Sequence, residues 1–264
     1  MNASTSSVLR SLAIQRRVLG ALLLREVITR FGRHNLGALW LMGEPMIFTL
    51  GVAAVWTIGG LRHGVGIPMV AFALTGYSSV LMWRNSVSHC AHAIQHNVKL
   101  LFHRNVRVID VMLTRILLEV AGATASFMAL SVFFIGIEWV QPPQDLLQVA
   151  GGWLMLAWFA LGLGLTIGAA TAFSPIVERV WHPTAYLLFP FSGAAFMADW
   201  LPSPVRDKLL LLPMVHAVEF IREGYFGAVI PYHYDMAYMA KCNLVLTLVG
   251  LWLVREAGAR VEAE

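Results

Sequence analysis

Acids, bases and thiols in an otherwise apolar chain are where chemistry would have to reside. His89, His92 and His96 recur at i, i+3 and i+7 and would share one face of a continuous helix, a spacing that could bind a metal. Their one thiolate or acidic neighbour at close spacing is Cys90, which a helix would point elsewhere. They therefore read as polar histidines on a membrane-adjacent cytosolic helix, and no metal site is expected. Asp199, His216, Glu219 and Glu223, with Arg222 among them, form the one cluster of acids and bases that a transferase could use. Glu44, Arg115, Glu119 and Lys241 are the charges within or near apolar runs, where a charge is costly and usually has a partner or a task. An ion pair near one interface is the plain reading for Glu44, Arg115 and Glu119; a polar gate is the functional one. No GxxxxGK[ST] run occurs, so the chain has no P-loop to cradle ATP phosphates, and there is neither a GxSxG elbow nor an HExxH pair. No catalytic residue and no resident cofactor is expected.

The elements around these residues follow from composition. Hydrophobic residues make up 58% of 264 and charged residues 13%, with a mean hydropathy of +0.68. A soluble domain has about 25% charged residues, so this chain cannot cover itself with polar surface. The long apolar runs point to an all-α integral membrane protein rather than a barrel. The formal charge of +4 sits beside apolar segments, which favours anionic lipid over nucleic acid as its counterpart. Cys90 and Cys242 suggest neither a disulfide framework nor a metal site. The apolar run 18–24 is cut off by Arg25 without a small-residue cleavage site, so it does not read as a cleavable signal.

Apolar runs at about 36–58, 67–83, 108–137, 146–173, 180–198 and 236–254 are each near the ~20 residues that a crossing helix needs. Lys and Arg concentrate in the N-terminal segment, the 84–107 loop, the 174–183 linker and the tail. The 59–66 and 137–145 loops hold Arg62 alone. That asymmetry predicts six spans with both termini cytoplasmic. The tract 199–235 then lies outside; its apolar run Leu209 to Ile221 is too short to span and carries Pro213 and His216, which predicts a re-entrant helical hairpin facing a pore.

Two further stretches read as surfaces. In residues 12–33, Leu24, Val27, Ile28 and Phe31 make one apolar helix face opposite Glu26, Arg30 and Arg33, with Glu26 and Arg30 spaced as a favourable pair. This predicts an amphipathic helix on the membrane surface, where Arg meets lipid phosphate. In 84–107, Ile94, Val98 and Leu101 form an apolar stripe beside Lys99, Phe102 and Arg104, suited to a groove on a cytosolic protein. Trp40, Trp56, Tyr77, Trp83, Tyr186 and Trp200 are candidates, as a group, for sugar-ring stacking; membrane-interface belts collect the same residues.

Three stretches carry a resemblance across nearly the whole chain: LREVITRFGRHNLGALWLMGEP at 24–45, NVKLLFHRNVRVIDVMLTRILLE at 97–119 and LLPMVHAVEFIREGYFGAVIPYH at 211–233. In these the chain resembles type-2 ABC exporter permeases, in particular the KpsM-like capsular-polysaccharide export permeases, though it lacks the Pro that most members carry near Val106 or Val108. The resemblance implies one permease domain over 1–264 in the bacterial inner membrane, acting as a homodimer. It implies two copies of a separate nucleotide-binding ATPase holding ATP and Mg, docked through Ile94, Val98, Leu101, Phe102 and Arg104. It implies periplasmic and outer-membrane export partners and a lipid-linked acidic polysaccharide as cargo. Arg25, Arg30, Arg33 and Glu44 would meet the lipid anchor at the entrance, the aromatic group would line the tunnel, and His216, Glu219, Arg222 and Glu223 would belong to the external re-entrant region. An O-antigen or teichoic-acid exporter is the alternative within this class; a secondary transporter or a membrane-embedded transferase lies outside it.

Overall fold

A computed structural model of the chain describes residues 3–31, 37–59, 67–101 and 106–263, with side chains described at 13–29, 42–59, 67–98, 100–101 and 106–260. In order these residues form α1 (Ala3–Phe31), α2 (Gly37–Ile58), α3 (Met69–Ala91), α4 (Ala93–Leu101), α5 (Val108–Gly136), α6 (Leu146–Ala170) and α7 (Pro175–Phe191). A 3₁₀ turn (Ala198–Trp200) follows, then α8 (Ser203–Leu209), α9 (Pro213–Phe226) and α10 (Met236–Ala263). Among the described residues there is no strand. By length and composition, α5, α6 and Met236–Arg260 of α10 suffice to cross a membrane, and α2 contributes the shorter apolar stretch Met42–Ile58.

The second apolar run is more polar because it is covered by protein. The stretch Ala71–Trp83 of α3 is buried throughout, at the centre of the main core. Three of the hydroxyls of α3 are satisfied within the helix: Thr75 donates to Ala71 O at 2.9 Å, Ser79 to Thr75 O at 2.6 Å and Ser86 to Met82 O at 2.7 Å. Such back-bonding lets a polar helix sit in an apolar bundle without partners from its neighbours. Small residues set the spacing of α6: a Cβ on Gly168 would come within 2.8 Å of Cys90 O, and one on Gly162 within 3.1 Å of Thr247 N. Close backbone approach of this kind drives helix association where water exclusion cannot.

Element ends depart from the expected spans for local reasons. The fifth run, expected at 180–198, begins at Pro175 because Ser174 Oγ accepts from Ile176 N and Pro occupies the first turn. It ends at Phe191, two residues before Gly193, whose φ of +84° turns the chain out of the helix. The tract 84–107, expected as a loop carrying a short helix, holds the end of α3 and the whole of α4. The second run continues as α3 to Ala91, the chain turns at His92, and α4 follows with a kink at Asn97 (φ −122°, ψ 16°). The second and third histidines therefore leave the line of the first, and the three do not share one helix face.

Candidate functional site

Rings from three helices meet on one face. Trp56 of α2 and Tyr77 of α3 lie edge to face at 5.3 Å between centroids. Phe189 of α7 approaches Tyr77 at 5.2 Å and Phe48 of α2 approaches it at 5.9 Å. Trp56 continues to Phe72 at 5.9 Å, and Phe72 stacks on Trp200 at 5.4 Å. At the other end the Arg84 guanidinium lies 5.3 Å from the Tyr186 ring and 5.5 Å from that of Phe189. Four of the predicted aromatics, Trp56, Tyr77, Tyr186 and Trp200, thus fall on one path. Sequence reasoning missed Phe48, Phe72, Phe189 and Arg84, because no local spacing announces a contact between helices. Trp83 belongs elsewhere: it is fully buried beside Phe159 and lines an apolar cavity of about 570 Å³ between α6, α7 and α10. The Trp40 side chain lies outside the described residues. Phe72 and Tyr77 are buried and back the path, whereas Tyr186 and Phe48 are exposed; their faces can meet sugar C–H groups and the Arg84 guanidinium offers charge to an acid, so this part of the path suits an acidic glycan chemically.

The predicted external cluster is turned inward. Arg222 is 0% exposed; its guanidinium donates to Gly193 O and Phe196 O at 2.6 Å each and to Ala194 O at 2.8 Å, and it lies 3.8 Å from the Phe72 ring centroid. Gly76 makes room for it: a Cβ there would come within 2.5 Å of Ala194 O and 2.6 Å of Arg222 Nη2. Glu219 accepts from Ala198 N at 3.1 Å and His233 N at 3.4 Å. His216 Nδ1 accepts from Asp235 N at 2.8 Å, which leaves Nε2–H to donate to Leu210 O at 2.7 Å, so the ring is held as one neutral tautomer. Glu223 accepts from Gln148 Nε2 at 2.6 Å and from the Tyr234 hydroxyl. Burial first, and then that carboxylate, push the Tyr234 phenol up to about 12 and keep it a donor. These side chains hold the chain turns around α9 together. His216 lines a cavity of about 530 Å³ with His233 and Asp235, but Glu219, Arg222 and Glu223 do not line it, so the four do not converge there as an acid–base pair would.

The expected entrance is also rearranged. Leu24 of α1 is 63% exposed and Ile28 is exposed with it, whereas Gln15, Leu22 and Glu26 face the bundle. Glu26 reaches Arg115 of α5 at 3.0 Å, and Gln15 donates to Asp110 Oδ1 at 2.7 Å. Glu119 reaches His89 of α3 at 3.1 Å, so both predicted charges on α5 tie it to other helices. Arg25 donates to Asn97 Oδ1 at 3.0 Å, at the α4 kink. The side chains of Arg30 and Arg33 lie outside the described residues, and Glu44 is exposed on α2. On α4 the predicted stripe divides. Ile94 is 6% exposed and packs with Leu22, Cys90 and Val111, Leu101 is half-buried, and Val98 is 42% exposed. Phe102 and Arg104 lie outside the described residues.

Residues 17–226 match the model of the ABC-2 type transporter family. The chain is 42% identical over 260 residues, 98% of both sequences, to the capsule polysaccharide export inner-membrane protein CtrC of Neisseria meningitidis serogroup B. It is 38% identical over 255 residues to the capsule polysaccharide export inner-membrane protein BexB of Haemophilus influenzae, covering 97% of this chain and 96% of that one. It is 28% identical over 246 residues to the polysialic acid transport protein KpsM of Escherichia coli, covering 92% and 94%. A family match over most of the chain and full-length relatives agree with the helical bundle described above: the chain belongs to the ABC-2 type transporter family.

Proposed function

We propose that this chain is the transmembrane permease of an ABC exporter that moves a lipid-linked capsular polysaccharide across the bacterial inner membrane. The observation that carries the reading is the 42% identity to a capsule export protein over 98% of both chains. In this reading α2, α3, α5, α6, α7 and α10 are the six spans, both termini are cytoplasmic, and α8 and α9 form a re-entrant hairpin on the outer side. Two copies enclose the tunnel. Two ATPase subunits, which hold ATP and Mg, dock beneath it, and periplasmic and outer-membrane export proteins take up the polymer.

The outward rings of the path, Tyr186, Phe189, Phe48, Trp56 and Trp200, supply the polymer-facing surface with Arg84, and the buried Tyr77 and Phe72 back them from the core. Stacking on ring faces tolerates a repeating glycan sliding by one unit, since each ring meets an equivalent C–H face after each step. The Arg84 cation sits at the inner end, where an acidic residue of the polymer would enter. The docking surface is narrower than the sequence stripe: Val98 is the apolar contact, and Ile94 is the root that fixes α4 to the bundle.

The test is a pull-down of the tagged chain from its native membrane in gentle detergent. A P-loop ATPase at one-to-one stoichiometry is the expected result, lost in Val98→Asp. A chain that carries no ATPase in any such preparation would overturn the proposal.

A further inference from the structure

A second polar site lies where α7 crosses the turn between α3 and α4. We propose that His92, Glu178 and His182 form a binding site for a divalent transition cation of the Zn²⁺ class. Glu178 and His182 are four apart on one face of α7, and His92 is the turn residue after α3. One ligand atom from each lies within 4.8 Å of the other two. With metal–ligand bonds of about 2.1 Å, tetrahedral ligands stand about 3.4 Å apart, so modest movement of the exposed His182 ring closes the shell. The His92 and His182 ring centroids are already 5.3 Å apart.

The outward atoms of two ligands are tied down so that the inward ones converge. His92 Nδ1 lies 2.9 Å from Ser88 O and donates to it, which turns Nε2 toward the site. Glu178 Oε2 accepts from Gln95 Nε2 at 3.0 Å, while Oε1 lies 2.9 Å from His92 Nε2. Supporting bonds of this kind orient metal ligands in general. An ion pair alone would use His92 and Glu178 and leave the third ligand's convergence unexplained. Two imidazoles and one carboxylate suit Zn²⁺ or Co²⁺ and disfavour Mg²⁺ and Ca²⁺, which prefer oxygen shells. Three protein ligands leave one position for water. His96, whose ring stacks on His92 at 5.7 Å, borders the site without being counted as a ligand. A bound ion would staple α7 to the head of α4, beside the Trp181 Nε1 to Ser88 Oγ bond of 3.2 Å that already joins α7 to α3.

The experiment uses the full chain in detergent, free of any histidine tag and stripped with EDTA. Zn²⁺ is titrated by calorimetry and Co²⁺ by its visible absorption. One ion per chain is expected, with binding weakened about tenfold or more in H182A and in E178Q, and little changed in H96A. Zn²⁺ should raise the unfolding temperature of the native chain and leave that of H182A unmoved. Because His182 is exposed, metal-free H182A should unfold at the native temperature, which separates a lost site from a lost fold. No saturable binding at micromolar Zn²⁺, or binding undiminished in the H92A/H182A double variant, would overturn the site.

Discussion

Two groups of unusual residues in this apolar chain look alike in sequence and differ in what their bonds leave free. Around α9, the charges of Glu219 and Arg222 are spent on backbone groups of the turns beside them. On the α2–α3–α7 face, Tyr186 is 68% exposed and its ring rests against the Arg84 guanidinium, and Phe48 is exposed with it. A charged residue inside a membrane bundle therefore does not by itself mark a site. What remains presented after the internal bonds are counted does. Around α9 the answer is a brace; at Tyr186 and Phe48 it is a surface.

The largest expected effect breaks the brace. Arg222→Met leaves Glu219 without its buried counter-charge and strips three carbonyls of their donor, which should cost about 3–5 kcal/mol and appear as loss of folded, monodisperse protein in detergent. Gly76→Ala should act the same way, since the added methyl collides with Ala194 O and the Arg222 head. If Arg222→Met exports polymer and unfolds normally, α9 is not a brace. Next comes α4, where one short helix contains both kinds of residue. Ile94→Ala should lower stability by roughly 2–3 kcal/mol through a cavity in the core, with the ATPase still bound. Val98→Asp should leave the unfolding temperature within the scatter of surface substitutions, about 0.5 kcal/mol, and release the ATPase. Reversal of the two outcomes would exchange root and contact. On the ring path, Tyr186→Ala should cost no more than about 1 kcal/mol while cutting polymer export several-fold, read as surface capsule against ATPase turnover.

The legible part of the fold is the set of helices that are long and continuously apolar. The runs that became α5, α6 and the apolar length of α10 could be placed within a few residues, because a helix with protein on one side and lipid on the other must be apolar all round and its ends are marked by loop chemistry such as Asp145, which caps α6 by accepting from Gln148 N at 2.9 Å. The face of α1 was not legible. In water the stripe of Leu24, Val27 and Ile28 would turn inward. In a bundle whose outside is apolar, Leu24 and Ile28 can stay outside while Gln15 and Glu26 seek polar partners within. The turn at His92 between α3 and α4 and the meeting of Glu178 with His92 were hidden for another reason. Both depend on which helix crosses which, and a pair 86 positions apart in the chain leaves no trace in local spacing.

The smallest expected effect decides to which of the two kinds α1 belongs. Glu26 and Arg115 are each about one-eighth exposed and 3.0 Å apart, so their pair is shielded more than a surface bridge and less than the Arg222 brace. If α1 is fixed to α5 as a brace, a double-mutant cycle of Glu26→Gln and Arg115→Gln should return a coupling of roughly 0.5–1.5 kcal/mol, and either single change should loosen α1 enough to raise amide exchange along Gln15–Glu26. If α1 instead rides on the surface, held by its outward Leu24 and Ile28, the coupling falls to the level of exposed pairs and exchange is unchanged. The first outcome makes the Arg25–Asn97 bond a second rivet, joining α1 to the kink of α4. Movement of α4 would then carry α1 with it, and in the proposed exporter a push on α4 from an ATPase would reach α1 mechanically.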